Sequence, residues 1–487
     1  MKKMNLLAMS LVSAAALSFS SCSSNDDLTS GGGSNQSKVE SFYMTFAVQT
    51  PTSNGTRTQQ QTEKKTATAV ETKITSGTFY LVDQKTKETV FTKHITASEL
   101  NNATPESPAT GTTKSKIEVP VQDVKEGVTY IVYFLANTTD AKPWESIFAP
   151  AADKFTATNK FDAGYATENA FVMFNQNDNK TRANQYTVEF KAANKEINTP
   201  ATVNGTIMLD RVTARIDKPE TEATSITAKY PEGATPEKKA AIDAEIAKVK
   251  TVRQSNYAIT NLSNKTNIMQ KWDATWAALQ IPEDITYMQK SGDLGDQWTL
   301  ANYSWFANAE KNYVFENTKE TPTTMYFEYV LGLDETKFTD TPDCTDGTFY
   351  RYNGVIYRSI AAIYAAYADQ PILFGGKTAE ALKGELKIAD GKITATDAEL
   401  ATFRKTNVIE VFVAGKTYYS QVIIDKWLNA NTIQRNTVYQ LNVKKIFNLG
   451  ADVPNGKPDE NKPMYYLDVE VSVNPWVLST QDVNLGE

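Results

Sequence analysis

Histidine and cysteine are nearly missing from this 487-residue chain, which has one His and two Cys. The histidine is His94, in the polar stretch Phe91-Thr92-Lys93-His94-Ile95-Thr96, and the cysteines are Cys22 and Cys344. A Ser-His-Asp or Cys-His catalytic set would have to rest on that single imidazole, and a zinc site of Cys and His ligands would run short of donors. No GxGxxG precedes a helical pattern and no GxxxxGKS/T occurs, so the usual phosphate cradles are missing too. Positive charge is also short. Lys plus Arg number 50 against 57 Asp plus Glu, the net charge is −7, and no long basic run stands out. That balance excludes nucleic acid as a partner bound through phosphate neutralisation. Asp273, Glu283, Asp284 and Asp293 lie close in sequence but lack the spacing of a calcium loop. We therefore assign no metal, no cofactor and no enzymatic activity.

What the chain has in quantity is Thr and aromatics, including 23 Tyr and 21 Phe, residue types that suit a pleated, half-buried surface. The expectation is a mainly β protein. At the start, Lys2 and Lys3 precede an apolar run from Leu6 to Leu17, too short to span a bilayer at about 20 residues per crossing. Phe19-Ser20-Ser21-Cys22 then resembles a bacterial lipobox, with Phe19 in place of the usual Leu, a variation associated with the Bacteroidetes. Residues 1–21 read as a lipoprotein signal peptide and Cys22 as the acylated residue. An acylated Cys22 leaves Cys344 with no disulfide partner. Ser23 to Glu40 is a polar tether rich in Ser and Gly.

Ser41 to Gln49 alternates strictly, with Phe42, Met44, Phe46 and Val48 on one face, the pattern of a half-buried strand. Pro51 to Arg57 breaks it with turn residues, and Thr58 to Thr68 is polar with nothing to bury. Arg57 thus sits in a soft loop, either as a solvated arginine or as a point where an Arg-specific protease would cut. Ile74 to Val82, Lys116 to Val121, Val128 to Ala136, Asn169 to Phe174 and Asn184 to Phe190 read as further strands. They predict an antiparallel sandwich over residues 58–201.

After a break at Asn198-Thr199-Pro200-Ala201, Val203 to Ile216 opens a second strand series, giving a domain over 202–487. Thr235 caps a helix predicted over Pro236 to Val252, with Ile242, Ile246 and Val249 on its apolar stripe. Ile360 to Ala368 and Ala379 to Leu386 are shorter helical candidates. Strands are predicted at Met325 to Val330, Val355 to Arg358, Val408 to Ala414, Thr417 to Ile424 and Val438 to Lys444. The second sandwich thus carries helical insertions. Trp272, Trp276, Trp298 and Trp305 crowd together, either as core packing or as a stacking platform for a sugar ring.

The end of the chain alternates again: Leu467, Val469, Val471 and Val473 share one face of a strand that pairs within its own sheet. Asn474-Pro475 then separates it from Trp476 to Leu485. Taken with the lipobox, the early strand closed by an Arg loop and the run IMLDRVTARI, the segments NTVYQLNVKKIFNLG and YYLDVEVSVNPWVLSTQDVNL resemble the Mfa-type minor (short) fimbrilin of the Bacteroidetes, the structural subunit of a type V pilus. The resemblance implies two transthyretin-like β-sandwich domains and a lipidated precursor at the outer membrane. It also implies that residues 22–57 are a lipidated propeptide carrying the first strand, removed by an Arg-specific protease that cuts after Arg57 and leaves Thr58 first, and a head-to-tail polymer of the chain with itself, joined by accessory anchor and tip subunits. On that reading, loss of Phe42, Met44, Phe46 and Val48 exposes a groove and an open sheet edge. The terminal segment, with Trp476, Leu478, Val483 and Leu485 as anchors, fills the groove of a neighbour. The alternatives are a fimbrial tip or anchor subunit and a glycan-binding surface lipoprotein using the Trp272 to Trp305 cluster.

Overall fold

The computed structural model describes residues 40–50, 65–96, 98–99, 105–107, 112–137, 165–177, 186–288, 310–318, 320–370, 372–426, 428–454 and 466–478. The signal peptide, Cys22, Arg57, Thr58, Trp298, Trp305, Asp293, Val483 and Leu485 lie outside them.

In the first half, β1 (Ser41–Gln49), β2 (Lys65–Ala67), the single turn α1 (Ala69–Thr72), β3 (Gly77–Asp83), β4 (Thr89–Ile95), β5 (Pro105–Ser107) and β6 (Thr112–Pro120) follow one another. They are succeeded by β7 (Thr129–Ala136), β8 (Met173–Asn175), β9 (Thr187–Glu189) and β10 (Ala201–Arg211). Apart from β2, these strands form a ladder in the order β4-β3-β7-β8-β10-β1-β6-β5, with β9 also on β7. It folds over on itself at β10, whose first part pairs with β1 and whose last part pairs with β8. The part paired with β1 carries a bulge. Thr45 faces Thr202 but Ala47 faces Thr206, and between them Gly205 has φ +104°, a conformation that glycine adopts without penalty. The two layers meet through Phe46, whose ring lies 4.8 Å from Phe79 of β3 and 5.7 Å from Phe134 of β7. Gly77 makes room for that packing, since a Cβ there would lie 2.2 Å from the Phe134 ring.

The second half contains the helix α2 (Pro236–Ile246), begun by β11 (Ala214–Asp217) and followed by β12 (Val249–Thr260), β13 (Lys311–Val314) and β14 (Thr324–Leu333). Next come β15 (Phe349–Tyr352), β16 (Val355–Tyr357), α3 (Ile360–Ala366), α4 (Ala379–Leu386), α5 (Asp397–Asn407) and β17 (Glu410–Phe412). The last strands are β18 (Lys416–Val422), β19 (Thr437–Phe447) and β20 (Tyr466–Leu478). One sheet runs β2-β20-β19-β11-β13 and a second runs β12-β14-β18. Tyr257, Phe327, Tyr329 and Tyr419 of the second sheet share a buried core with Ile216, Tyr439, Leu441 and Val443 of the first. Between β14 and β18, the helices α3 to α5 pack with β15 and β17 around their own cluster of Tyr350, Ile363, Leu386, Phe403 and Val411. From Glu40 onward the chain clusters as one compact unit.

Several expectations are corrected. The architecture is mainly β, but it is not purely antiparallel: β1 with β10, β11 with β19, and β2 with β20 are parallel pairs. The strand expected over Val203 to Ile216 is two strands that belong to different sheets, β10 and β11. The helix expected to reach Val252 stops at Ile246, because Val249 onward is claimed by pairing with β14, which outweighs a thin apolar stripe with only Ile242 buried. The strand expected to end before Asn474-Pro475 continues to Leu478. Proline is tolerated there because Pro475 faces Thr437, the first residue of β19, at the end of that ladder.

Candidate functional site

The alternation read from Ser41 to Gln49 is realised as a strand, except that Ala47 on the opposite face is buried as well. Phe42, Met44, Phe46 and Val48 are each no more than 2% exposed. Phe42 also meets Phe190 at 5.2 Å between ring centroids. All nine residues of β1 lie opposite β6, from Ser41 facing Pro120 to Gln49 facing Thr112, while Met44 to Gln49 also pair with β10. β1 is therefore an interior strand with hydrogen-bonded neighbours on both sides. Its departure would open a slot within a sheet and leave two unpaired strand faces, where the alternation alone led us to expect one open edge. At the rim, the Lys195 amine lies 5.6 Å from the centre of the Phe42 ring and 3.4 Å from the Glu40 carboxylate, and Lys116 lies 5.5 Å from the Tyr43 ring.

Trp476 and Leu478 lie away from β1. Trp476 and Leu478 belong to β20, where their backbones pair with Lys65 and Ala67 of β2. In an extended strand, residues an even number apart share a face. An uninterrupted strand would therefore carry Trp476 and Leu478 on one face, and Val483 and Leu485 on the other.

Sequence reasoning missed the cluster around Glu71. This carboxylate, on α1, is fully buried. Its Oε1 accepts from the Tyr313 hydroxyl at 2.5 Å, Arg215 at 3.1 Å and Lys311 at 3.1 Å, and its Oε2 accepts from the Thr68 N–H at 2.6 Å. Arg215 also pairs with Asp217 at 2.7 Å. The Glu71 carbonyl accepts from Arg211 Nε at 2.7 Å, and Arg211 in turn donates to Asn436 at 2.8 Å. Burial pushes the Glu71 carboxyl up, but Tyr313, Arg215, the Thr68 N–H and Lys311 together outweigh it and bring it down to about 2. Burial and the facing carboxylate hold the Tyr313 phenol far above its ordinary range. The only local sign of this site was Thr68-x-x-Glu71, the spacing of a capping box.

Several of the aromatic and acidic groups singled out from the sequence have structural partners. The Trp272 indole N–H donates to the Asn177 carbonyl at 2.7 Å. Asp273 accepts from the N–H groups of Ala277 at 2.7 Å and Ala278 at 3.2 Å, and Asp284 pairs with Lys265 at 2.6 Å. His94 Nδ1 lies 3.3 Å from the Thr78 hydroxyl. Cys344 is buried and forms no disulfide.

Among solved structures, the chain is similar to a putative cell adhesion protein from Parabacteroides distasonis, with 14% identity, 91% of this chain and 99% of that one covered, and a TM-score of 0.44. It is similar to a fimbrilin from Porphyromonas gingivalis at 14% identity, with coverage of 91% and 99% and a TM-score of 0.41. It is also similar to the C-terminally truncated tip fimbrial protein Mfa3 from Porphyromonas gingivalis, at 12% identity, coverage of 90% and 100%, and a TM-score of 0.33. A search of curated proteins found no match. Residues 410–482, which include β17 to β20, match the family model described as "Major fimbrial subunit protein type IV, Fimbrillin, C-terminal".

Proposed function

We propose that this chain is a structural subunit of a surface fimbria that supports adhesion and polymerises by strand exchange. In this reading Cys22 is acylated, the precursor is carried to the outer membrane, and an Arg-specific protease cuts between Arg57 and Thr58. The cut releases β1 and the lipid together. The terminal segment of a neighbouring copy then fills the slot, and accessory anchor and tip subunits complete the fibre. The family match over 410–482 supports the fimbrial role. The observation that supports the mechanism is the placement of β1, buried inside a sheet and separated in sequence from the rest of the fold by the segment that carries Arg57.

The energetics favour replacement. At roughly 1.5–3 kcal/mol per buried large apolar side chain, the four side chains of β1 represent about 6–12 kcal/mol of burial lost on release. Unpaired N–H and C=O groups on β6 and β10 add a template for a new strand. Donation from one end of a chain to the far part of the next is head-to-tail, and such contacts propagate.

The test pairs a mild-denaturation gel with N-terminal sequencing. Wild-type protein is expected to give a ladder of bands with Thr58 as the first residue, and Arg57→Ala a lipidated monomer. A full ladder from Arg57→Ala would refute the mechanism, and a different first residue would move the cut.

A further inference from the structure

The final residues of β20 have outrun β19. Pro475, opposite Thr437, is the last to face it, and Trp476, Val477 and Leu478 lie instead against Lys65, Thr66 and Ala67 of β2. β2 is in turn fixed at its C-terminal end, through Ala67 and the α1 turn. Ala67 is buried, the Val70 carbonyl accepts from the Asn169 N–H at 2.9 Å, and Glu71 is gripped by Arg211, Arg215, Lys311 and Tyr313. Asn137 closes the segment by accepting from the Thr75 N–H and donating to the Lys73 carbonyl, both at 2.8 Å. Every one of these partners lies beyond Arg57 in the chain, so a cut there removes none of them.

We propose that Lys65–Thr72 is a clasp that keeps residues 476–478 with their own subunit, so that only the chain beyond Leu478 is passed to a neighbour. The proposal rests on the strand-exchange reading and sets the boundary of the exchanged segment within it. It assigns different tasks to the four terminal anchors that the sequence pattern groups together. Trp476 and Leu478 stay on β20, and Val483 and Leu485 are the side chains offered to the slot. The face argument agrees, because a single extended strand would present the two pairs in opposite directions. Glu71 acts as a positioning residue: its contact with β10 is at Arg211, outside the Ala201–Met208 stretch that pairs with β1, and it works through β2.

The experiment uses the full-length chain carrying Thr66→Cys and Val477→Cys, which face one another across the β2–β20 pair. Burial and the nearby Asp346 and Asp343 push the Cys344 thiol up to about 11, which keeps it out of the oxidation. The cross-link is expected to form in the monomer and to leave ladder length unchanged whether oxidised or reduced. Failure of the cross-link to form, or ladders that shorten on oxidation and recover with reductant, would overturn the clasp. A second measurement covers the latch. In Glu71→Ala, amide exchange at 476–478 should accelerate at least tenfold while β3 amides keep their protection; unchanged exchange at 476–478 would remove Glu71 from the account. Polymerisation by Arg57→Ala would instead sink the underlying reading, with the cross-link result still standing as a statement about the monomer.

Discussion

β1 and the β2–α1 segment flank residues 51–64 in the chain and are held in opposite ways. β1 is retained by four apolar side chains and two backbone ladders, all of them interactions that any strand of suitable pattern reproduces. The β2–α1 segment is retained by backbone carbonyls of Val70 and Glu71 and by one carboxylate whose partners are fixed at 2.5–3.1 Å, with directions that another residue type does not copy. Non-directional burial makes an exchangeable contact, and a directional buried ion cluster makes a permanent one. Arg57 lies between them in the sequence.

The sharpest way to break that contrast is at Phe46. Phe46→Ala should cost about 3–5 kcal/mol in the uncleaved precursor, the usual range for emptying an aromatic site in a core. The same substitution should leave the cleaved protein unchanged, because β1 has gone; urea midpoints of the two forms decide this. Glu71→Gln should behave differently, destabilising both forms equally by about 3 kcal/mol, near the low end for breaking a buried ion pair because Asp217 still faces Arg215. That variant also has a pH signature. The Glu71 carboxyl falls from its ordinary value of 4.5 to about 2 in the folded chain, so its contribution is complete above about 4.5 and is lost as pH falls toward 2. Wild type should therefore lose stability over that window more steeply than Glu71→Gln in urea titrations at successive pH. The smallest effect belongs to the rim. Lys195→Ala removes exposed contacts to Glu40 and the Phe42 ring and should cost less than about 1 kcal/mol, with less salt dependence than the parent.

The same contrast explains what was legible in the sequence. Phe42, Met44, Phe46 and Val48 announce themselves because period-two alternation is local, and so do the ends of α4, with Thr378 capping it. β1's neighbours were not legible, since β10 pairs with it from about 160 residues away and nothing in either strand names the other. Glu71 was hidden for a related reason: its partners come from β11 and β13, far along the chain. At Val249 a local helical spacing lost to a long-range strand partner. By contrast α5 was missed despite local signs, Thr396 and Glu399 forming a capping box ahead of the buried Leu400 and Phe403.

The slot has one further property, set by its two walls. β1 runs antiparallel to β6 and parallel to β10, so the walls run antiparallel to each other. A strand entering in either sense meets one parallel and one antiparallel neighbour. The hydrogen-bonding lattice is therefore nearly indifferent to direction, and the polarity of an inserted strand is left to the size order of its side chains and to Lys195, which marks the end where Glu40 stands. In a fibre built this way, the rule that makes every subunit point the same way would be written in side chains alone.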